Sequence, residues 1–505
     1  MRSKKAIYNI LTNLILQFIV LLYGFIVPKI IISNFGSDVN GLVTSITQFL
    51  AYITLLESGF GPVVKSILYK PISEKNNDEI ANILKTSEKF FRKIALIFII
   101  YIAVLSIFYP LLIKNEFSFL FTISLIIIIS ISTFAEYFFG MTYRLFLQAE
   151  QKTYIISIIQ IFTYILAIIS IIILANFGAN IHIIKLITGI IFVIRPIVQN
   201  IYVKKKYNIS FKNVDDNYKL KNKWDGLAQH VAAVIHSNTD VIVLTFFCSL
   251  SEVSVYSVYY LVVKGIMQII QSFSNGIDAS WGDMIAKNEN KNLNKKFNIY
   301  EVIYFSITTL VFTCAMILIT PFVSVYTKGI TDVNYIRNIF GYLIVISEYI
   351  WAIRLPYSSI SLAAGHFKET RIGAWVECLV NLVLSVILVQ KFGIIGVTIG
   401  TIIAMLIRTC EFVYHSNRYI LNRSIWKSVD KIFLVIIDTV VIIIISKCIP
   451  MINNVNYISW VINAIMIAIS SFIIVFITNY VFYRNELKEI FKMFKNILVR
   501  KKANQ

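Results

Sequence analysis

The stretch from Tyr260 to Asp278 places polar side chains on an otherwise apolar segment. Those side chains are Lys264, Gln268, Gln271, Asn275 and Asp278. Steps of four, three, four and three residues put them on one face of a helix. A lysine near the centre of a bilayer costs roughly 2.5–3.5 kcal/mol on insertion scales, so such a residue faces protein or water. The pattern predicts either a polar seam between helices or the wall of a wet, cationic cavity.

A second polar face lies on an apolar segment that starts near residue 227. Gln229, His236 and Asp240 are spaced by seven and four residues and therefore share one helical face. An ionisable pair inside a membrane is a candidate ion-coupling site, because proton or Na⁺ binding would bias one conformation. The alternative is a buried hydrogen-bonded pair that fixes the rotation of the helix.

Other charged residues recur inside apolar segments in both halves of the chain. For Glu136, Arg144 and Glu348 we favour structural ion pairing. Arg195 and Arg408 lie toward the predicted cytoplasmic ends of their segments. They would snorkel to the interface, pair with a carboxylate such as Glu411, or line the cytoplasmic mouth of a cavity.

Composition identifies the class of protein. The 505 residues are 57% hydrophobic and only 15% charged, with a mean hydropathy of +0.75. Continuous apolar runs of membrane-spanning length recur along the chain, which predicts an all-α polytopic membrane protein and excludes a β-barrel. The net charge of +20 does not indicate nucleic-acid binding, because the basic residues concentrate in loops beside the spans. The scattered cysteines are expected to serve in packing.

At about 20 apolar residues per span, the sequence predicts about fourteen transmembrane helices. The predicted spans are 7–32, 41–69, 94–113, 118–147, 154–175, 182–203, 227–248, 254–281, 298–320, 335–363, 371–390, 394–415, 431–449 and 457–483. With a cytoplasmic N-terminus, the outside loops contain only Lys114, Lys328, Lys391 and Lys447, and most other Lys and Arg residues lie inside. The positive-inside rule therefore predicts that both termini are cytoplasmic.

The chain resembles itself at an offset of about 212–215 residues. Glu136-Tyr137 corresponds to Glu348-Tyr349, and Asn176-Phe177-Gly178 corresponds to Lys391-Phe392-Gly393. An even number of spans separates the repeats, which predicts two lobes related by a pseudo-two-fold axis along the membrane normal, with the functional site between them. The predicted domains are an N-lobe (1–203), a cytoplasmic linker (204–226), a C-lobe (227–420), an extra helix pair (421–483) and a basic amphipathic cytoplasmic tail (484–505).

Signatures of several enzyme classes are missing from the sequence. It contains no G-x-x-x-x-G-K-[ST] phosphate loop and no H-E-x-x-H or clustered His/Cys motif. The predicted outside loops are too short for the catalytic domain of a membrane glycan polymerase. We therefore expect a transporter and not an enzyme, with no cofactor or metal, although H⁺ or Na⁺ would serve as a coupling ion.

The 6+6+2 layout resembles the polysaccharide transporter (Wzx-type flippase) branch of the multidrug/oligosaccharidyl-lipid/polysaccharide (MOP) superfamily. The likeness also rests on PKIIISNFGSDVNGLV at the end of span 1, LLESGFGPVVKSIL after it, and the NFG and KFGIIGVTIGT turns. The branch is similar to the lipid II flippases of the MurJ family. The resemblance implies a multi-pass protein of the bacterial cytoplasmic membrane. Its expected partners are an undecaprenyl-pyrophosphate-linked glycan, the lipid bilayer and other polysaccharide assembly proteins, without nucleic acid.

The resemblance also implies which residues line the transport cavity. Lipid II flippases have a cationic cavity with basic residues in spans 1, 2 and 8, and Lys29, Lys65 and Lys264 lie in those spans here. Gln268, Gln271, Asn275 and Glu57 complete the expected lining, Glu57 because the repeat aligns it with Gln271. The implied function is ion-coupled, alternating-access translocation of the glycan for surface polysaccharide synthesis. The alternatives are a cation-coupled multidrug exporter of the same superfamily and a membrane glycan polymerase.

Overall fold

The computed structural model describes residues 2–57, 60–113, 116–207, 227–452, 454–490 and 492. The described residues form helices and connecting turns, with no strand. In the first half the helices are α1 (Arg2–Phe35), α2 (Ser37–Ala51), α3 (Phe60–Glu74), α4 (Asn77–Leu112), α5 (Phe119–Ala135), α6 (Met141–Ala149), α7 (Thr153–Asn176), α8 (Ile181–Tyr207) and α9 (Leu227–Phe247). They continue as α10 (Leu250–Asn275), α11 (Asp278–Ala286), α12 (Asn290–Tyr326), α13 (Asn338–Ala363), α14 (Arg371–His415), α15 (Trp426–Ser446) and α16 (Tyr457–Phe482).

The prediction of an all-α protein with about fourteen membrane helices is confirmed. Among the described residues, 11 helical segments are long and apolar enough to cross a membrane. One of them, Arg371–Ile420, contains two helices that fold back on each other at Gly393. Helices α9 and α15 have 21 residues each, about 32 Å at 1.5 Å per residue, which is long enough to cross a membrane. With these two, the described residues form fourteen membrane helices. The chain is a multi-pass membrane protein.

Local sequence explains where several helices begin. The side chains of Asn76, Ser118 and Asn456 accept hydrogen bonds from backbone N–H groups in the first turns of α4, α5 and α16. Such caps satisfy donors that the first turn of a helix leaves without an intrahelical partner. Within the membrane segments, helical backbone pairing is obligatory because lipid offers no alternative partner.

Two predicted continuous spans are interrupted. The predicted span 41–69 comprises α2, a 3₁₀ turn at Tyr52–Glu57 and α3. The predicted span 254–281 comprises α10, which ends at Asn275, and α11, which begins at Asp278. Asp278 therefore leaves the polar face of Lys264 and contacts the hydroxyl of Ser359 on α13. Hydropathy did not reveal these breaks, because both sides of each break are apolar.

The predicted internal repeat has a structural counterpart in two turns. Gly178, which follows α7, has a φ of +71°, and Gly393, inside α14, has a φ of +54°. Both conformations favour glycine, because a side chain strains the backbone there. The NFG and KFG sequences therefore form turns between successive helices at corresponding places in the two halves.

The chain groups into two compact units, Met1–Ser257 and Val258–Gln505. The first unit has a continuous core of aliphatic and aromatic side chains, including Phe60, Phe91 and Tyr143. In the second unit, Trp281 packs its ring 5.6 Å from that of Phe297. The lobe, linker and tail boundaries stay predictions: most of the linker (208–226) and of the amphipathic tail lies outside the described residues.

Candidate functional site

A cavity of about 520 Å³ lies within the first unit and is lined by α1, α2 with its 3₁₀ turn, α5 and α8. Its volume falls in the range of small-molecule sites. Its apolar wall includes Val27, Pro28 and Ile31 of α1. Its polar wall comprises Tyr23, Asn40, Thr44, Thr47, Gln48, Thr54, Ser132, Thr133, Lys185 and Thr188.

Lys185 is the one charged side chain among the described residues that line this cavity, and no carboxylate lines it. It lies on α8, one turn before Thr188, in a segment that crosses the membrane. It is half-buried, and no described residue forms an ion pair or hydrogen bond with its ammonium group. An ammonium without a counter-charge in a membrane-spanning helix is costly, and such residues mark functional sites.

Neutral polar groups of α2 line the same cavity as Lys185. Asn40, Thr44, Thr47 and Gln48 share one helical face. The Thr47 hydroxyl donates to the carbonyl of Val43 at 2.7 Å, which leaves its oxygen available as an acceptor. Such groups can exchange hydrogen bonds with a hydroxylated ligand without adding charge.

Asn40 also fixes the position of α2. Its amide nitrogen donates to the hydroxyls of Ser254 at 2.8 Å and Ser257 at 3.2 Å, at the start of α10. A second hydrogen bond joins the hydroxyls of Ser45 and Thr245 of α9, whose oxygens lie 2.7 Å apart. These bonds set the rotation of α2 and so direct its polar face into the cavity.

An aromatic cluster supports the cavity wall. The rings of Tyr23 and Phe192, which both line the cavity, lie 5.9 Å apart, and Tyr164 packs against both. The Arg195 guanidinium lies 3.9 Å from the Phe192 ring centre and 4.1 Å from that of Tyr164. Its Nε donates to the Thr163 hydroxyl at 2.7 Å. Arg195 therefore acts behind the wall, where it holds the aromatic rings in place.

The Lys264 face lies in the second unit. Lys264 is exposed, and no described residue pairs with its ammonium group. Gln268 is half-buried, and the Gln271 side chain donates to the Asn275 side chain at 2.7 Å. The helix therefore presents a cation and amides on one side, and their role in substrate binding stays a prediction.

The structure does not bring the other predicted cavity residues of the first unit into the described cavity. Lys29 is half-buried on α1, beside Pro28, which does line the cavity. Lys65 is half-buried on α3, and Glu57 ends the 3₁₀ turn, beside the Tyr137 side chain. Their assignment to the substrate site stays a prediction.

For the predicted coupling pair, the structure describes the side chain of Asp240 only. Asp240 is buried on α9 and accepts a hydrogen bond from the Tyr256 hydroxyl at 3.0 Å. The side chain of His236 lies outside the described residues. Coupling through this pair therefore stays a prediction.

Several predicted charged residues lie in ion pairs. Arg144 contacts Glu136 at 3.4 Å across a π-helical turn, Glu136–Gly140, that joins α5 and α6. Arg408 is buried on α14, contacts Glu377 at 3.5 Å and also pairs with Glu411. Arg408 also donates to the Thr370 carbonyl.

Glu348 is buried on α13 and is 2% exposed. A role for Glu348, Arg195 and the paired residues at the mouth of a cavity stays a prediction.

Sequence reasoning missed two features of these sites. The first is Lys185, which could have been recognised as a candidate site residue because it interrupts the apolar run of predicted span 182–203. The role of Glu377 was also missed: it joins Arg354, at 2.7 Å, to Arg408. This second feature requires a contact between α13 and α14 that no sequence spacing shows.

The sequence matches no protein-family model, and no curated protein is significantly similar to it. Solved structures of known transporters do share its fold. "Lipid II flippase MurJ, inward closed conformation" matches with a TM-score of 0.69 at 17% identity, over 95% of this chain and 100% of that chain.

Two further solved structures match over most of their length. An inward-facing multidrug resistance MATE family transporter of the MOP superfamily has a TM-score of 0.61 at 12% identity, over 78% of this chain and 94% of that chain. A MOP superfamily transporter from Pyrococcus furiosus has a TM-score of 0.56 at 13% identity, over 83% of this chain and 97% of that chain. The chain therefore has the fold of MOP superfamily transporters.

Proposed function

We propose that this protein is a flippase that moves an undecaprenyl-pyrophosphate-linked oligosaccharide from the inner to the outer leaflet of the bacterial cytoplasmic membrane. The observation that carries the proposal is Lys185, the sole charged group on the described lining of a 520 Å³ cavity that has a polar wall. Its ammonium group supplies a point charge for a phosphate. The hydroxyls and amides that line the same cavity supply hydrogen bonds for sugars, and the lipid tail stays in the bilayer.

The composition of the lining favours this substrate class over the cationic drugs of a multidrug exporter. A cationic substrate needs a carboxylate or an open aromatic face, because the ammonium group of a lysine repels a cation. The cavity lacks a carboxylate among its described residues, and the guanidinium of Arg195 packs against the aromatic rings. The likeness to a lipid II flippase over the whole of that chain is further support.

The remaining parts of the proposal follow from the sequence. The protein acts by ion-coupled alternating access, as a transporter and not an enzyme, with both termini in the cytoplasm. Asp240 and His236 are its candidate coupling residues, and Lys264 is a second cation for the pyrophosphate. It serves the synthesis of a surface polysaccharide together with other assembly proteins.

Complementation of a flippase-null strain tests the role of Lys185. Loss of a hydrogen bond to a charged group costs about 1.5–3 kcal/mol, or about 10- to 100-fold in affinity. Lys185→Ala should therefore abolish most surface glycan, and Lys185→Arg should retain part of it. Lys291→Ala removes an exposed lysine and is the matched control. Full glycan with Lys185→Ala at normal expression would refute the proposal.

A binding measurement distinguishes recognition of the pyrophosphate charge from recognition of the lipid tail. The purified protein should bind undecaprenyl pyrophosphate more tightly than undecaprenol, and Lys185→Ala should remove that difference. Equal affinity of the wild type for the two lipids would show that no pyrophosphate site exists. Tight binding of a lipophilic cation instead would favour the exporter.

A further inference from the structure

A second, much smaller cavity lies in the second unit, between α12, α15 and α16. Its volume of about 20 Å³ holds one occupant of the size of a water molecule. Its apolar lining includes Phe305, Leu434 and Val435. Its polar lining comprises Ser306, Thr309, Lys431, Asp438, Asn479 and Tyr483.

The carboxylate of Asp438 is incompletely satisfied. Asp438 is 3% exposed, and its Oδ2 accepts a hydrogen bond from the Thr478 hydroxyl at 3.0 Å. Its Oδ1 is buried and accepts no hydrogen bond from any described residue. An ionised carboxylate in a membrane segment needs a positive partner, because a single neutral donor does not offset its desolvation.

The lysine that lines the same cavity is not that partner. Lys431 lies two helical turns before Asp438, about 10 Å along the axis of α15. Its ammonium nitrogen contacts Glu301 Oε2 at 2.6 Å and also bonds to Asn298. An ionised Asp438 therefore has no counter-charge among the described residues that line this cavity.

Neutral oxygens beside Asp438 suit a small metal cation. The Ser306 hydroxyl donates to the Val302 carbonyl at 2.6 Å, so its oxygen presents lone pairs only. The Asn479 amide nitrogen donates to Ser306 at 3.0 Å and to the Val475 carbonyl at 2.6 Å, which leaves its carbonyl oxygen as an acceptor. Hard cations prefer such oxygen donors, and a single carboxylate balances a single positive charge.

We propose that Na⁺ binds in this cavity, held by Asp438 Oδ1 with the neutral oxygens of Ser306 and Asn479. The site lies in α12 and the helix pair that follows the predicted repeats, outside the Lys185 cavity. Sodium binding there would hold α15 and α16 against α12. The proposal does not depend on the transported substrate.

The thermal midpoint (Tm) of the purified full chain, at pH 8, tests the proposal. NaCl should raise the Tm in a saturable way relative to choline chloride of equal ionic strength. Asp438→Asn should lose the sodium-dependent shift. Asp430→Asn, which changes an exposed carboxylate on the same helix, should keep it. Ser306→Ala, a milder change, should move half-saturation at least about tenfold higher.

Three results would overturn the proposal. One is an equal Tm of the wild type in NaCl and choline chloride. Another is a sodium-dependent shift that survives in both Asp438→Asn and Ser306→Ala. The third is a Tm that does not change with Na⁺ but rises on acidification to pH 6 in the wild type and not in Asp438→Asn. The carboxylate of Asp438 would then bind a proton in place of Na⁺. The other ionisable groups that line the cavity are Lys431 and Tyr483.

Discussion

Glu301 on α12 and Lys431 on α15 form an ion pair of 2.6 Å, and the Glu301 side chain is completely buried. Arg423, in the segment before α15, contacts the other oxygen of the same carboxylate at 2.7 Å. The Ser428 hydroxyl donates to that oxygen at 2.9 Å. One buried carboxylate thus joins α12 to two cations from a distant part of the chain.

Glu301→Gln should destabilise the protein more than Lys431→Met. The Gln variant leaves two buried cations without their shared counter-charge, a loss of about 3–5 kcal/mol for a broken buried pair. The Met variant leaves Glu301 paired with Arg423. Thermal unfolding in detergent should show this order, and the exposed pair Asp283–Lys287 provides the control through Asp283→Asn, with little change in Tm. Equal effects of the three substitutions would contradict the assignment.

Gly41→Ala should disrupt the packing that positions the polar face of α2. A Cβ at Gly41 would lie 1.8 Å from the backbone carbonyl oxygen of Leu250, which cannot move without shifting α10. We expect a loss of about 1–3 kcal/mol or more, together with reduced complementation. Gly61→Ala is the matched control, because its Cβ would meet Leu145 at an ordinary 3.5 Å. A Gly41→Ala protein as stable as Gly61→Ala would show that this contact is unimportant.

Lys264 should face water, and its neighbour Ile269 should face lipid. Both are exposed on α10 and lie about 140° apart around the helix. In a background without the native cysteines, Lys264→Cys should react with a hydrophilic maleimide several times faster than Ile269→Cys. Equal rates at the two positions would remove Lys264 from any wet cavity and leave it as a residue of a polar seam.

The polar face on α10 shows which features helical spacing predicts and which it does not. Spacing correctly grouped Lys264, Gln268, Gln271 and Asn275, which all lie on one helix in the structure. It also assigned Asp278 to that group, but the helix ends at Asn275 and Asp278 begins the next one. A break between two apolar helices changes the direction of the chain and leaves the hydropathy pattern unchanged.

The amino-acid sequence by itself determined the class of the protein, its membrane helices and the positions of its repeated turns. It could do so because lipid excludes unpaired backbone groups, so that apolar length alone identifies a spanning helix. Only the tertiary structure decided that Lys185 lines the cavity of the first unit, and that Glu301 binds Lys431, which lies 130 residues away in the sequence. Helical periodicity specifies the face of a helix on which a residue lies, whereas the packing of helices distant in sequence decides which residues that face contacts.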